Sequence, residues 1–181
     1  MKNHGPWKIK SSEVKYENPW LSVREDQVIQ PDGTDGIYGV VTVKNGSRIL
    51  PIDDHGNAYL AQQFHYGWGD MTIAAIAGAI DGDETPPVAA KRELEEELGI
   101  QATEWISLGM VAGLPTYMHH EENLFIARGL TFITPQEDKN ETIKVLKMPV
   151  AEAVAMVMDG RVINAQSCAL ILKAAKYLGK I

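Results

Sequence analysis

The feature that most restricts the fold is a change of pattern at Gly82. Upstream, short β-branched and aromatic runs alternate with turn residues: Trp20–Arg24 and Gln27–Ile29, the turn Pro31-Asp32-Gly33, then Ile37–Val43. Asn45-Gly46 is the strongest short hairpin signal in the chain. Ile49–Ile52, a turn at Asp54-His55-Gly56 and Tyr59–Phe64 follow it. Downstream, Pro86–Leu98 reads as a helix, with Thr85 as N-cap, Pro86 in the first turn and Gly99 as stop. Strand patterns recur around Glu104–Val111, Asn123–Gly129 and Ile143–Met148. Two more helices are predicted over Val150–Met158, closed by Gly160, and Ala165–Leu178, closed by Gly179. One helix among strands, with two at the end, lacks the regular alternation of a doubly wound sheet. The pattern predicts an α+β fold or an α/β/α sandwich with a mixed sheet, preceded by antiparallel strands over residues 1–45.

The predicted helix 86–98 has an unusual face. At about 100° per residue, Glu97 lies roughly 40° and Glu96 roughly −60° from Glu93, so three carboxylates share one side. Arg92 stands beside them, and Ala90, Leu94 and Leu98 form the adjoining apolar stripe that docks on a sheet. Glu95 falls on the opposite side, toward solvent, with Lys91 as its neighbour one turn back. Such a stripe is either a solvated acidic face or a site for a hard divalent cation such as Mg²⁺ or Mn²⁺. Gly78, Glu84 and Gly99 stand where a turn, a further carboxylate and a C-cap hold the stripe in place.

Charge and composition narrow the classes. Apolar residues make up 45% and charged residues 23%, which excludes disorder for most of the length. With 17 basic and 24 acidic residues the net charge is −7, which argues against a nucleic-acid partner bound by bulk charge. A phosphate-bearing substrate then needs a divalent metal to shield it. The single cysteine, Cys168, forms no internal disulfide, and Met71–Ile80 is shorter than the roughly 20 residues a bilayer span requires. No apolar signal core follows the N-terminus, so a cytoplasmic protein without membrane attachment is expected.

Gly78-x5-Glu84-x7-Arg92-Glu93-Leu94-x-Glu96-Glu97-x-Gly99-Ile100 resembles the signature of the Nudix hydrolases at all nine constrained positions in 23 residues. The resemblance implies a Nudix-type α/β/α sandwich over residues 46–181, Mg²⁺ or Mn²⁺ as cofactor, and hydrolysis of a nucleoside diphosphate linked to another group. It makes Glu93 and Glu97 central metal ligands, Glu96 a third ligand or water-orienting catalytic group, and the Ala77 carbonyl a backbone ligand. Gly78, Glu84, Arg92 and Gly99 become structural supports, with Arg92 orienting carboxylates.

Outside the box, residues 17–43, Ala61–Tyr66 and Asp159–Ala165 resemble the ADP-ribose pyrophosphatases and related nucleoside diphosphate sugar hydrolases. That subgroup implies a homodimer in which the strands of residues 1–45 are exchanged and help to form the base pocket. Two departures concern specificity: Ala74 replaces a glutamate at the entry to the box, and His65 replaces an arginine. The subgroup's catalytic base lies on a late acidic loop, where Glu141 fits its Glu-x-Ile-x-Val pattern, with Glu137 and Asp138 in reserve.

His119-His120-Glu121-Glu122 offers metal-binding side chains, but neighbours in an extended run point in different directions. A loop with His120 near substrate phosphate fits better than a separate metal site. Trp20, Tyr38 and Trp68 are candidates for stacking on a base, and His65 is a further substrate contact. The expectation is hydrolysis of ADP-ribose or a GDP-sugar such as GDP-mannose to a nucleoside monophosphate and a sugar phosphate. The alternatives are a Nudix hydrolase of dinucleoside polyphosphates or NADH, and a nucleotide-sensing domain that binds without cleaving.

Overall fold

The computed structural model describes residues 1–133 and 143–181, so Glu137, Asp138 and Glu141 lie outside the described residues. The described chain runs through β1 (Lys2–His4), β2 (Trp7–Glu17), β3 (Leu21–Ile29), β4 (Asp35–Val43), β5 (Gly46–Pro51), β6 (Asn57–His65), β7 (Asp70–Ala74) and β8 (Ile76–Ala79). Helix α1 (Pro86–Leu98) follows, then β9 (Ile100–Ala112), β10 (Met118–His119), β11 (Glu121–Phe132), β12 (Lys144–Pro149), α2 (Val150–Met158) and α3 (Ala165–Tyr177). These elements fall into two compact units.

The first unit comprises Met1–Asn45 and Ala112–Glu121. Its sheet has the order β1-β2-β3-β4-β10, with β1 to β4 antiparallel. The turn at Pro31-Asp32-Gly33 joins β3 to β4, and Gly33, at φ 89°, donates its N–H to the Gln30 carbonyl at 2.9 Å. The segment 112–121 is an addition to the region expected from sequence. It belongs here because β10 lies parallel to β4, with Met118 opposite Val41 and His119 opposite Thr42.

The second unit comprises Gly46–Val111 and Glu122–Ile181. It holds a mixed sheet of order β8-β5-β11-β9, in which β5 is parallel to β11 and antiparallel to β8, and a second sheet of order β12-β6-β7. Alternation along the strands creates two cores. Ile49, Tyr59, Ala61, Phe125 and Ala127 pack with Ala90, Leu94 and Leu98 of α1. Leu50, Ala58, Leu60, Leu124 and Ile126 pack with Val150 and Ala153 of α2 and with Leu170, Ile171 and Ala174 of α3. Helices on opposite faces of the strands make the α/β/α sandwich.

Asn45-Gly46 does not form the expected hairpin: β4 pairs with β3 and β10, whereas β5 pairs with β8 and β11. The two residues serve other ends. Asn45 Oδ1 accepts the Glu121 N–H at 3.0 Å, and a Cβ on Gly46 would stand 2.9 Å from Glu122 Oε2 and 3.2 Å from the Gly78 carbonyl. Close approach, rather than a turn, requires the glycine.

Candidate active site

Helix α1 starts and stops where its residues dictate. Proline stands at its start, and Gly99 adopts the left-handed conformation (φ 59°, ψ 38°) that gives a C-cap, donating its N–H to the Glu95 carbonyl at 3.0 Å. Thr85 occupies the N-cap position, but its side chain makes no capping hydrogen bond; only its carbonyl accepts, from Val88 and Ala89. Buried Ala89, Ala90, Leu94 and Leu98 fix the rotation of the helix, and the carboxylates turn to the side that remains.

Arg92 organises that side. Its Nε and Nη2 donate to the two oxygens of Glu84 at 2.9 and 3.0 Å, a bidentate pair. Nη2 also donates to the Ala79 carbonyl at 2.9 Å, tying the helix to β8. Nη1 donates to Glu93 at 2.7 Å and to Glu96 at 3.1 Å. One guanidinium thereby holds three of the four box carboxylates. The Arg92 hydrogen bond draws the Glu84 carboxyl down to about 2, and the same pairing raises Arg92. Burial pushes Glu93 up, against the pull of Arg92.

Glu93 lies tight against the backbone of β8. A Cβ on Gly78 would come within 1.8 Å of the Glu93 carboxyl carbon and 1.9 and 2.3 Å of its oxygens. The glycine is a cradle for that carboxylate. Glu97 is half-buried on the same helix; Glu95 is half-buried too, not fully solvent-facing as its wheel position suggests. Among the described residues, no three His, Cys, Asp or Glu side chains are already gathered at metal-ligand spacing. The donor set still fits a hard cation. Arg92 engages one oxygen each of Glu93 and Glu96, which leaves further carboxylate lone pairs, and the last turn of α1 carries no basic residue to neutralise the stripe. Glu93, Glu96, Glu97 and the Ala77 carbonyl are the groups that could hold such an ion.

The remaining sequence candidates divide between the two units. Trp20 and Trp68 are 71% and 68% exposed, in the first and second units respectively. Tyr38 stacks edge-on against Trp7, with centroids 5.4 Å apart, and donates its hydroxyl to the Thr116 carbonyl. Both rings line a cavity of about 630 Å³ in the first unit, together with the ion-paired Arg24 and Asp26. His120 Nδ1 donates to the Lys44 carbonyl at 2.8 Å. His65 hydrogen-bonds Thr72 through Nδ1 and Gln63 through Nε2.

Sequence reasoning missed a buried charge pair. Arg48 of β5 and Glu122 of β11 are 9% and 3% exposed, with Nε and Oε1 3.0 Å apart. The available signal was a cation inside an otherwise uncharged strand, Gly46-Ser47-Arg48-Ile49-Leu50.

A sandwich with this box on the helix that covers one face defines a class, and the comparisons agree with it. The chain belongs to the NUDIX family, whose domain model matches residues 43–166. A model described as the nucleoside diphosphate sugar hydrolase N-terminal domain matches residues 7–41. Among curated relatives, an ADP-ribose pyrophosphatase of Mycobacterium tuberculosis is 30% identical over 165 residues, covering 90% of this chain and 80% of that one. The ADP compounds hydrolase NudE of Escherichia coli is 25% identical (76% and 73% covered), and a GDP-mannose pyrophosphatase of Yersinia pestis is 28% identical (70% and 69% covered). A crystal structure of an ADP compounds hydrolase shares the fold at TM-score 0.85 and 19% identity, over 99% of this chain and 98% of that one. No described helix is long and apolar enough to cross a membrane.

Proposed function

We propose that this chain is a pyrophosphohydrolase of nucleoside diphosphate sugars, cleaving ADP-ribose or a GDP-sugar such as GDP-mannose to a nucleoside monophosphate and a sugar phosphate. The observation that carries the reading is the complete box on α1 with its carboxylates ordered by Arg92 and seated against Gly78. The names of the relatives support the substrate class.

In this reading Glu93, Glu96, Glu97 and the Ala77 carbonyl hold Mg²⁺ or Mn²⁺, and Gly78, Glu84, Arg92 and Gly99 keep them in place. A divalent ion there supplies neutralisation of the pyrophosphate charge and a lower pKa for water. Water attacks one phosphorus, the bridging P–O bond breaks, and the bridging oxygen leaves with the other phosphate. Glu141 accepts the proton of the attacking water, since a carboxylate bound to the cation would be the weaker base. Glu96 helps to orient that water. Trp20, Tyr38, Trp68, His65 and His120 contact substrate, and the working form is a cytoplasmic homodimer with exchanged N-terminal strands.

A substrate screen tests the reading. ADP-ribose, GDP-mannose, UDP-glucose, NADH and diadenosine polyphosphates are each incubated with protein and Mg²⁺, and products are separated chromatographically. A kcat/KM highest for ADP-ribose or GDP-mannose is expected. Preference for NADH or diadenosine polyphosphates, or binding without turnover, would overturn it.

A further inference from the structure

The face of the sheet opposite α1 carries the buried pair that the box does not use. Arg48 shares that face with Leu50, whereas Ile49 and Ser47 face α1, where Ser47 Oγ donates to the Pro86 carbonyl at 2.8 Å. In the antiparallel register Arg48 stands directly opposite Ala77, and Ser47 opposite Gly78. The guanidinium therefore sits behind the strand that brings Ala77 and Gly78 to the carboxylates.

Its hydrogen bonds converge on the start of that strand. Arg48 Nη1 donates to the Ala75 carbonyl at 3.2 Å and to Ser167 Oγ at 3.0 Å. Ser167 Oγ, fully buried in the first turn of α3, also accepts the Ala75 N–H at 3.0 Å. The serine is itself fixed by its N–H, donated to the N-cap Asn164 Oδ1 at 2.8 Å. Both backbone polar groups of Ala75, at the junction of β7 and β8, are thus engaged by Arg48 and Ser167. Glu122 neutralises the guanidinium from β11 and fills the space beside Gly46 and the Gly78 carbonyl. The negative charge of Glu97 is also felt at Arg48.

A buried ion pair is weak evidence for stability, because desolvation offsets most of the attraction; an apolar pair of similar volume often holds a core as well. Directional bonds to the backbone of one residue are a different matter. We propose that Arg48, with Glu122 and Ser167, is a positioning group for the metal site: it pins Ala75 so that the Ala77 carbonyl and the Gly78 cradle stay in register with Glu93 and Glu97. The inference rests on the metal-site reading given above. Outer groups of this kind typically govern affinity by 10- to 100-fold.

The test measures Mn²⁺ uptake directly, from the electron paramagnetic resonance signal of free Mn²⁺, alongside thermal melts. Wild type is compared with Arg48→Met/Glu122→Leu, which replaces the pair by apolar groups, and with Ser167→Ala, which removes the anchor of Ala75. The double variant is expected to melt within a few degrees of wild type while its Mn²⁺ Kd rises about 10- to 100-fold. Ser167→Ala raises Kd in the same direction. A folded double variant with the wild-type Kd overturns the proposal by making the pair purely structural. Should the double variant fail to fold, Ser167→Ala decides, and an unchanged Kd there overturns it equally. Wild type that takes up no Mn²⁺ fails at the earlier step: it overturns the metal-site reading, and this inference falls with it.

Discussion

Gly78 acts through the side chain it lacks. The obstacle to a Cβ is the flexible end of Glu93, not backbone, so Gly78→Ala displaces the carboxylate at little cost to the fold. Such a displacement should lower kcat on the order of 10²-fold with the melting temperature nearly unchanged. Kinetics and melts on one preparation check this; wild-type kcat in the variant would show that the cradle does not matter. Glu84 gives the complementary case, a residue whose worth depends on pH. Its carboxyl falls from 4.5 to about 2 in the folded chain because Arg92 hydrogen-bonds it. A depressed carboxylate contributes stability above its unfolded pKa and loses it as pH falls through the folded one. Glu84→Gln should therefore lower the melting temperature at pH 7, with the gap to wild type closing between pH 4.5 and about 2. A gap constant across that range would contradict the role of the Arg92–Glu84 pair.

At the scale of the element, α1 separates a functional face from its remainder. Glu97→Gln should cut kcat on the order of 10²-fold or more, while Glu95→Gln, off the carboxylate stripe, should leave it within a factor of about two. Equal losses in steady-state assays would refute the assignment of faces. This helix was the most legible element, because Pro86, Gly99 and the apolar spacing all act within one turn of the residues they govern. The Asn45-Gly46 hairpin was misread since a turn signal specifies local geometry, not which strands later pair; β5 finds β8 and β11 instead. Strands β7 and β8 were hidden in the nearly apolar run Met71–Ile80, whose successive apolar residues leave no alternation of hydrophobicity to read. Arg48 and Glu122 were invisible as a pair, because residues so far apart in sequence share no window and meet only through the parallel pairing of β5 with β11. The carboxylate set itself was readable, since 3.6-residue spacing puts Glu93, Glu96 and Glu97 on one side. Gly78 was expected to support it as a turn; that Gly78 is instead a β8 position seating Glu93, and that Arg92 reaches Ala79, depends on which strand lies beside the helix.

At the scale of the molecule, the first unit presents exposed apolar side chains along its sheet, Val14 and Tyr16 on β2 and Ile37 on β4. Single exposed apolar groups of this kind are ordinary on a protein surface, so the proposed strand-exchanged dimer is tested by deletion. Deleting residues 1–43 should yield monomer or aggregate and abolish turnover with the box intact; a soluble truncation with full activity would remove the dimer from the account. The central claim is that the α1 carboxylates, acting with a divalent ion, hydrolyse a nucleoside diphosphate sugar. It is tested most directly by incubating the purified chain with ADP-ribose and, separately, with GDP-mannose, and following the nucleoside monophosphate and the sugar phosphate, with Mg²⁺ and then with excess chelator. The account predicts equal amounts of both products from at least one of the two with Mg²⁺ and none with chelator. Both ADP-ribose and GDP-mannose left intact in the presence of Mg²⁺, or products that persist under chelation, would contradict it.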